Sequence, residues 1–206
     1  MNTMKQKGKI IGIVGVSGSG KTTLGKNLKA AMACEFFEED WKNNPFVFGQ
    51  KSIGAHGLEV SIGFLVLRDK QYRDAQKQAQ DGKLVLMDTV FEMTDLYSKA
   101  LLDETEYNFF HQVYKKFATE IKPPDILIYL HAPYEILSER AQKRQLGVEL
   151  EKTQISVEAF TATDKLIKQY VDSINQNQVV SVDVLTCDVR QNNYINELTK
   201  KVKGLL

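Results

Sequence analysis

The sequence predicts an α/β fold, a five-stranded parallel sheet with helices on both faces. Apolar runs of strand length recur along the 206-residue chain, at 9–14, 34–37, 83–88, 125–130 and 179–184. Helical periodicity fills the stretches between them, and that alternation is the pattern of parallel strands joined by crossover helices. The first run leads straight into Gly15-Val16-Ser17-Gly18-Ser19-Gly20-Lys21-Thr22, a glycine-rich turn that has meaning only between a strand and a helix.

Each element follows in order. Lys9 to Val14 is apolar enough for a strand buried on both faces. Thr22 to Ala33 reads as a helix, with Leu24, Leu28 and Ala31 at helical spacing. Cys34-Glu35-Phe36-Phe37 is the second strand and runs into Glu38-Glu39-Asp40-Trp41. Charged residues leaving the carboxyl end of such a strand lie where these sheets open their ligand crevice. Asn43-Asn44-Pro45 interrupts the chain, a short helix or turn continues to about Gln50, and Gly54 to Gly57 is a further break. Leu58 to Asp81 reads as a helix with Leu58, Ile62, Leu65, Val66, Asp69 and Tyr72 on one face. Its polar end, Gln71 to Gln80, is expected to meet solvent. Asp81-Gly82 closes it, and Lys83 to Asp88 is an apolar strand ending in an acid. Helices over Asp95–Leu102 and Asp103–Ile121 come next, the second carrying Tyr107, Phe110, Val113, Tyr114 and Phe117 as an apolar stripe. Pro123-Pro124 stops it before the strand Asp125–Leu130. A helix from Pro133 to about Arg144 has proline in its first turn, where a missing N–H costs nothing. Gln145 to Ile155 is irregular. Ser156 to Asn175 is helical, with Ser156 and Glu158 as capping residues. The strand Val179–Val184 and the helix Asn192–Val202 complete the chain, and Lys200, Lys201 and Lys203 read as a solvated helix end.

Bulk properties narrow the function. The 27 basic and 26 acidic side chains leave a net charge of +1, which argues against broad nucleic-acid binding. Cys34 and Cys187 are far apart in unlike contexts, so neither a disulfide framework nor a zinc site is expected. No apolar run approaches the ~20 residues of a membrane span. One domain in a reducing cytosol is the expectation.

The turn at 15–22 fits the Walker A pattern at every required position. Gly15, Gly18 and Gly20 let successive N–H groups, including those of Ser17, Ser19 and Thr23, curl toward anionic oxygen at a helix N-terminus. Lys21 supplies charge for the β- and γ-phosphates, and Thr22 is placed to ligate Mg²⁺. The expected fold is therefore the three-layer P-loop NTPase fold, with ATP or another nucleoside triphosphate bound. Phosphoryl transfer also needs an outer metal ligand, a proton acceptor and positive charge on the moving group. Asp88 fits the first. Glu38, Glu39 and Asp40 are candidates for the second; strand alternation turns Glu38 away and favours Glu39. Arg140, Lys143 and Arg144 share a helix face before the irregular stretch, the form of a lid over about 140–155 that closes on phosphates. Arg68 lies one position from the apolar face of its helix, and either pairs with Glu39 across the crevice or snorkels to solvent. His56, His111 and His131 have no metal spacing and no evident partner acid, and read as ordinary core or surface histidines.

The order of these elements resembles the deoxynucleoside kinases, especially bacterial deoxyguanosine and deoxyadenosine kinases. The resemblance rests on GVSGSGKTTL, FFEEDWKNNPF, FLVLRDKQ and PPDILIYLHAPYEILSERAQKR, and reaches to about Tyr170. It implies a helix-built homodimer and transfer of the ATP γ-phosphate to the 5′-hydroxyl of a deoxynucleoside, with a purine expected. By that resemblance Glu39 is the catalytic base, Arg68 the helix arginine, and Arg140 and Arg144 the lid arginines. Trp41, Ser61 and Glu92 fall among substrate-binding positions. Departures are also visible. Ser61 stands where the family has a base-reading glutamine, and Asp88-Thr89-Val90 lacks the arginine that follows the acid. Leu146 replaces the second lid arginine. Either Glu92 or Asp95 is the acid expected beside Arg68. A nucleoside monophosphate kinase and a nucleotide-binding regulator that has lost turnover are the rival readings.

Overall fold

The computed structural model describes residues 7–47, 57–145 and 157–206, with all their side chains except those of Ser138 and residues 141–145. Its strands are β1 (Ile10–Val14), β2 (Glu35–Phe37), β3 (Val85–Met87), β4 (Ile126–His131) and β5 (Val179–Asp183). They form one parallel sheet in the order β2-β3-β1-β4-β5. β1 is central and buried along its whole length, with Gly12 in register with Met87 on one side and Leu127 on the other. A strand buried on both faces reads as a continuous apolar run, as Ile10 to Val14 does.

The helices are α1 (Lys21–Met32), α2 (Leu58–Gln80), α3 (Met93–Leu101), α4 (Glu104–Ala118), α5 (Tyr134–Gln145), α6 (Val157–Ser173) and α7 (Asn192–Lys203). The connection β1-α1-β2 runs one way across the sheet, while the later crossovers run the other. Right-handed crossovers therefore put α1 on one face and the connecting helices that follow on the opposite face. Packing agrees: α1 meets α7, whereas α2 meets α3 and α4, and α3 meets α6. The chain changes direction between β1 and its neighbour β4, and ligands in such sheets bind at the carboxyl ends beside that reversal. The turn after β1 lies there.

The helix over 58–80 is turned differently from the expected face. Its buried side chains are Val60, Ser61, Leu65, Arg68, Tyr72, Ala75 and Ala79. Val66 is 52% exposed, whereas Arg68 is only 5% exposed. The polar end is not wholly solvated either, because Tyr72, Ala75 and Ala79 pack into the core. Two polar residues on the inward face displaced the periodicity by one position. In α4 Phe110 is fully buried, while Tyr107, Val113, Tyr114 and Phe117 are partly covered and packed against the core. α3 starts at Met93, before the expected Asp95. The expected cap Ser156 lies outside the described residues. Both cysteines are free thiols. Among the described residues no helix is long and apolar enough to cross a membrane.

Candidate active site

The turn from Gly15 to Thr22 connects β1 to α1 at the sheet's reversal. Gly20, at the N-cap of α1, has φ 104°, a left-handed conformation that side chains with a Cβ resist. Gly15 is needed for closeness, since a Cβ there would lie 2.4 Å from the Leu130 carbonyl oxygen. Lys21 folds back over the loop, donating from Nζ to the carbonyls of Gly15 at 2.9 Å and Val16 at 3.2 Å. The Ser19 hydroxyl is buried without a partner, and Arg140 donates to the Ser19 carbonyl at 3.3 Å. Ser17 and Thr23 are exposed at the loop and the first turn of α1.

Asp88 follows β3 and faces this loop. The Thr22 hydroxyl donates to Asp88 Oδ2 at 2.6 Å, while Asp88 Oδ1 is buried with no hydrogen-bond partner. Burial pushes its carboxyl above the ordinary range, and Thr22 and Lys21 only partly offset this. An anionic oxygen left orphaned beside a threonine hydroxyl fits a divalent cation, because hard cations are held by such oxygens.

Glu38 and Glu39 diverge as strand alternation requires. Glu38 is solvated and pairs with Lys26 at 3.0 Å. Glu39 turns inward, where Oε1 accepts from Nη2 of the buried Arg68. Arg68 Nη1 donates to the Thr94 hydroxyl on α3. The Glu39 backbone N–H reaches Asp88 Oδ2 at 3.4 Å, and Gln71 Nε2 donates to the Glu38 carbonyl at 2.8 Å. A continuous chain of contacts thus runs Thr94, Arg68, Glu39, Asp88, Thr22. Low exposure strengthens each link, and leaving any one buried partner unpaired costs about 1–3 kcal/mol.

The model of the deoxynucleoside kinase family matches residues 11–205. The chain belongs to that family. This kinase is 29% identical over 185 residues to a deoxyadenosine kinase of Dictyostelium discoideum, covering 86% of this chain and 75% of that one. It is 26% identical over 182 residues to a deoxyguanosine kinase of Bacillus subtilis, covering 86% of this chain and 85% of that one. The fold is that of a deoxyadenosine kinase from M. mycoides solved with bound dATP, with a TM-score of 0.75 and 24% identity. That match covers 95% of this chain and 99% of the other. The kinase is accordingly an ATP-dependent nucleoside kinase with a three-layer α/β P-loop fold.

Among the remaining sequence-predicted residues, Ser61 is buried with an unpartnered hydroxyl. Trp41 is partly exposed, with Lys42 Nζ 5.7 Å from its ring centroid. Glu92 begins α3 with its carboxyl pushed up by burial, near Tyr170 and Arg68. Asp95 does not join Arg68. It pairs with His111 Nδ1 at 2.8 Å and accepts from the Tyr107 hydroxyl at 3.3 Å, which corrects the reading of His111 as lacking a partner acid. His56, the Arg144 and Lys143 side chains and most of the expected lid lie outside the described residues. Thr94 escaped the sequence reading; a lone threonine on α3 carries no signal until the buried Arg68 donates to it.

Proposed function

We propose that this kinase transfers the γ-phosphate of ATP to the 5′-hydroxyl of a purine deoxynucleoside, with Glu39 as general base. The hydrogen-bonded chain from Arg68 through Glu39 and Asp88 to Thr22 supports this most directly. It couples the proton acceptor to the metal ligand and the phosphate loop. The Arg68 pair uses Oε1 of Glu39, so Oε2 is the oxygen that takes the proton. As that proton leaves, the 5′-oxygen forms its bond to the γ-phosphorus, and the bond from phosphorus to the bridging oxygen breaks to release ADP.

The loop residues Gly15, Ser17, Gly18, Ser19, Gly20, Lys21, Thr22 and Thr23 hold the triphosphate. Thr22 and Asp88 would hold Mg²⁺, which when bound neutralises charge on the β- and γ-oxygens. Arg140, already against the loop, and Arg144 stabilise the moving phosphoryl from a lid over about 140–155 within a single kinase domain. Trp41, Ser61, Arg68 and Glu92 contact the nucleoside. The purine assignment draws on the names of the deoxyadenosine and deoxyguanosine kinase relatives.

The test is ADP release over a panel of deoxynucleosides and nucleoside monophosphates, with wild type and Glu39→Gln. Purine deoxynucleosides are expected to give the highest kcat/KM. The variant should lose at least about 10²-fold in kcat while still binding ATP. Preferential turnover of monophosphates would overturn the acceptor assignment, and ATP binding without turnover of any acceptor would make the protein a regulator.

A further inference from the structure

The segment that carries Glu39 is fastened to α2 at both ends, and the far fastening lies outside the phosphate and metal machinery. At the near end Gln71 Nε2 donates to the Glu38 carbonyl at 2.8 Å, and Arg68 pairs with Glu39. At the far end Asn44 is fully buried. Its Nδ2 donates to the Val60 carbonyl at 3.0 Å, and its Oδ1 accepts from the Phe46 N–H at 3.1 Å. Residues 38–46 therefore lie antiparallel to α2, held across about three turns of that helix. Gly63 makes the far contact possible, since a Cβ there would lie 2.4 Å from Asn44 Oδ1. Glycine weakens a helix interior, and the room it leaves here is filled by the Asn44 amide.

The stretch between the two ends has little slack. The Asn44 N–H donates to the Trp41 carbonyl at 3.2 Å, closing the single 3-10 turn Trp41–Asn43. The Asp40 carboxylate accepts from Asn43 Nδ2 at 2.8 and 2.9 Å. A shift at Asn44 is thus passed to Glu39 instead of being absorbed. The Arg68 pair alone does not fix the carboxylate, because the Glu39 side chain is 29% exposed and ion pairs open to water hold weakly. A catalytic group must stay within about 0.5 Å of its productive position. We propose that Asn44 is a positioning residue for phosphoryl transfer, its amide bolting the segment to the first turn of α2 so that the Glu39 carboxylate meets the acceptor hydroxyl. Being fully buried, it acts through Glu39. This rests on the reading of Glu39 as general base given above.

The experiment measures ADP release with the best acceptor of the panel for wild type, Asn44→Ala, Glu39→Gln and the double variant. ATP affinity and thermal melts are measured alongside. Asn44→Ala is expected to lower kcat by about 10- to 10²-fold, with ATP affinity unchanged because the phosphate loop is untouched. Added to Glu39→Gln it should cost no further kcat, since the group it positions is already gone. A kcat for Asn44→Ala within about twofold of wild type overturns the proposal. So does the same fold loss in both backgrounds, which assigns Asn44 to structure independent of Glu39. Should Asn44→Ala melt below the assay temperature, Gly63→Ala, which presses a Cβ into the amide, takes its place with the same expectations. Turnover unaffected by Glu39→Gln sinks the general-base reading itself, whatever Asn44→Ala does.

Discussion

At the scale of single residues, Asp88 shows a conflict between stability and chemistry. Its carboxylate is buried, one oxygen is unpartnered, and its pKa is raised chiefly by desolvation. A carboxyl whose folded pKa lies above its unfolded value favours folding fully below the unfolded value. It loses that contribution as pH rises through the folded one. At neutral pH the charge therefore costs stability. Asp88→Asn is expected to stabilise the ligand-free protein by about 0.5–2 kcal/mol near pH 7. The gain should shrink as pH falls to about 4, and MgATP-dependent turnover should drop. Thermal melts across pH, paired with the ADP assay, check both parts; a variant less stable at neutral pH would refute the assignment of cost. Glu92 carries a shift of the same sign from the same cause.

At the scale of elements, α1 is held against the edge strand β2 by a close approach. A Cβ on Gly25 would lie 2.3 Å from the Phe36 ring. Two effects compete in Gly25→Ala: helix propensity favours alanine by about 1 kcal/mol, and overpacking costs about 1–3 kcal/mol. The second is expected to win, with a net loss of about 1 kcal/mol in denaturant melts, because the clash falls on a ring already packed against the core. The elements also show what could be read in advance. β1, the loop, Asp88 and Glu39 were legible because each is specified by its own neighbours in sequence. The inward face of α2 was not, since Ser61 and Arg68 are buried for their contacts, not for their hydrophobicity, and so shift the apparent stripe toward Val66. The Asp95–His111 pair depends on where α3 settles against α4, which no local pattern encodes.

At the scale of the whole molecule, charge is nearly balanced, so association rests on apolar surface. α2 and α4 pack together, and each leaves an apolar side chain in water, Val66 at 52% and Phe109 at 55% exposure. We propose that the homodimer the family resemblance implies uses α4. Sedimentation velocity should give a dimer for wild type and a larger monomer fraction for Phe109→Lys, with folding unaltered. A monomeric wild type at micromolar concentration would remove the dimer from the picture.

β2 is a short strand at the sheet's edge, and the carboxylate just beyond it is held by a neighbouring helix. Arg68 grips Glu39, and Gln71, one turn further along α2, grips the Glu38 carbonyl. Any guest that nudges that helix drags the Glu39 carboxylate, the proposed base, with it. Occupancy and reactivity are then two readings of a single displacement, so an alcohol too small to lean on α2 should enter the cleft and be passed over.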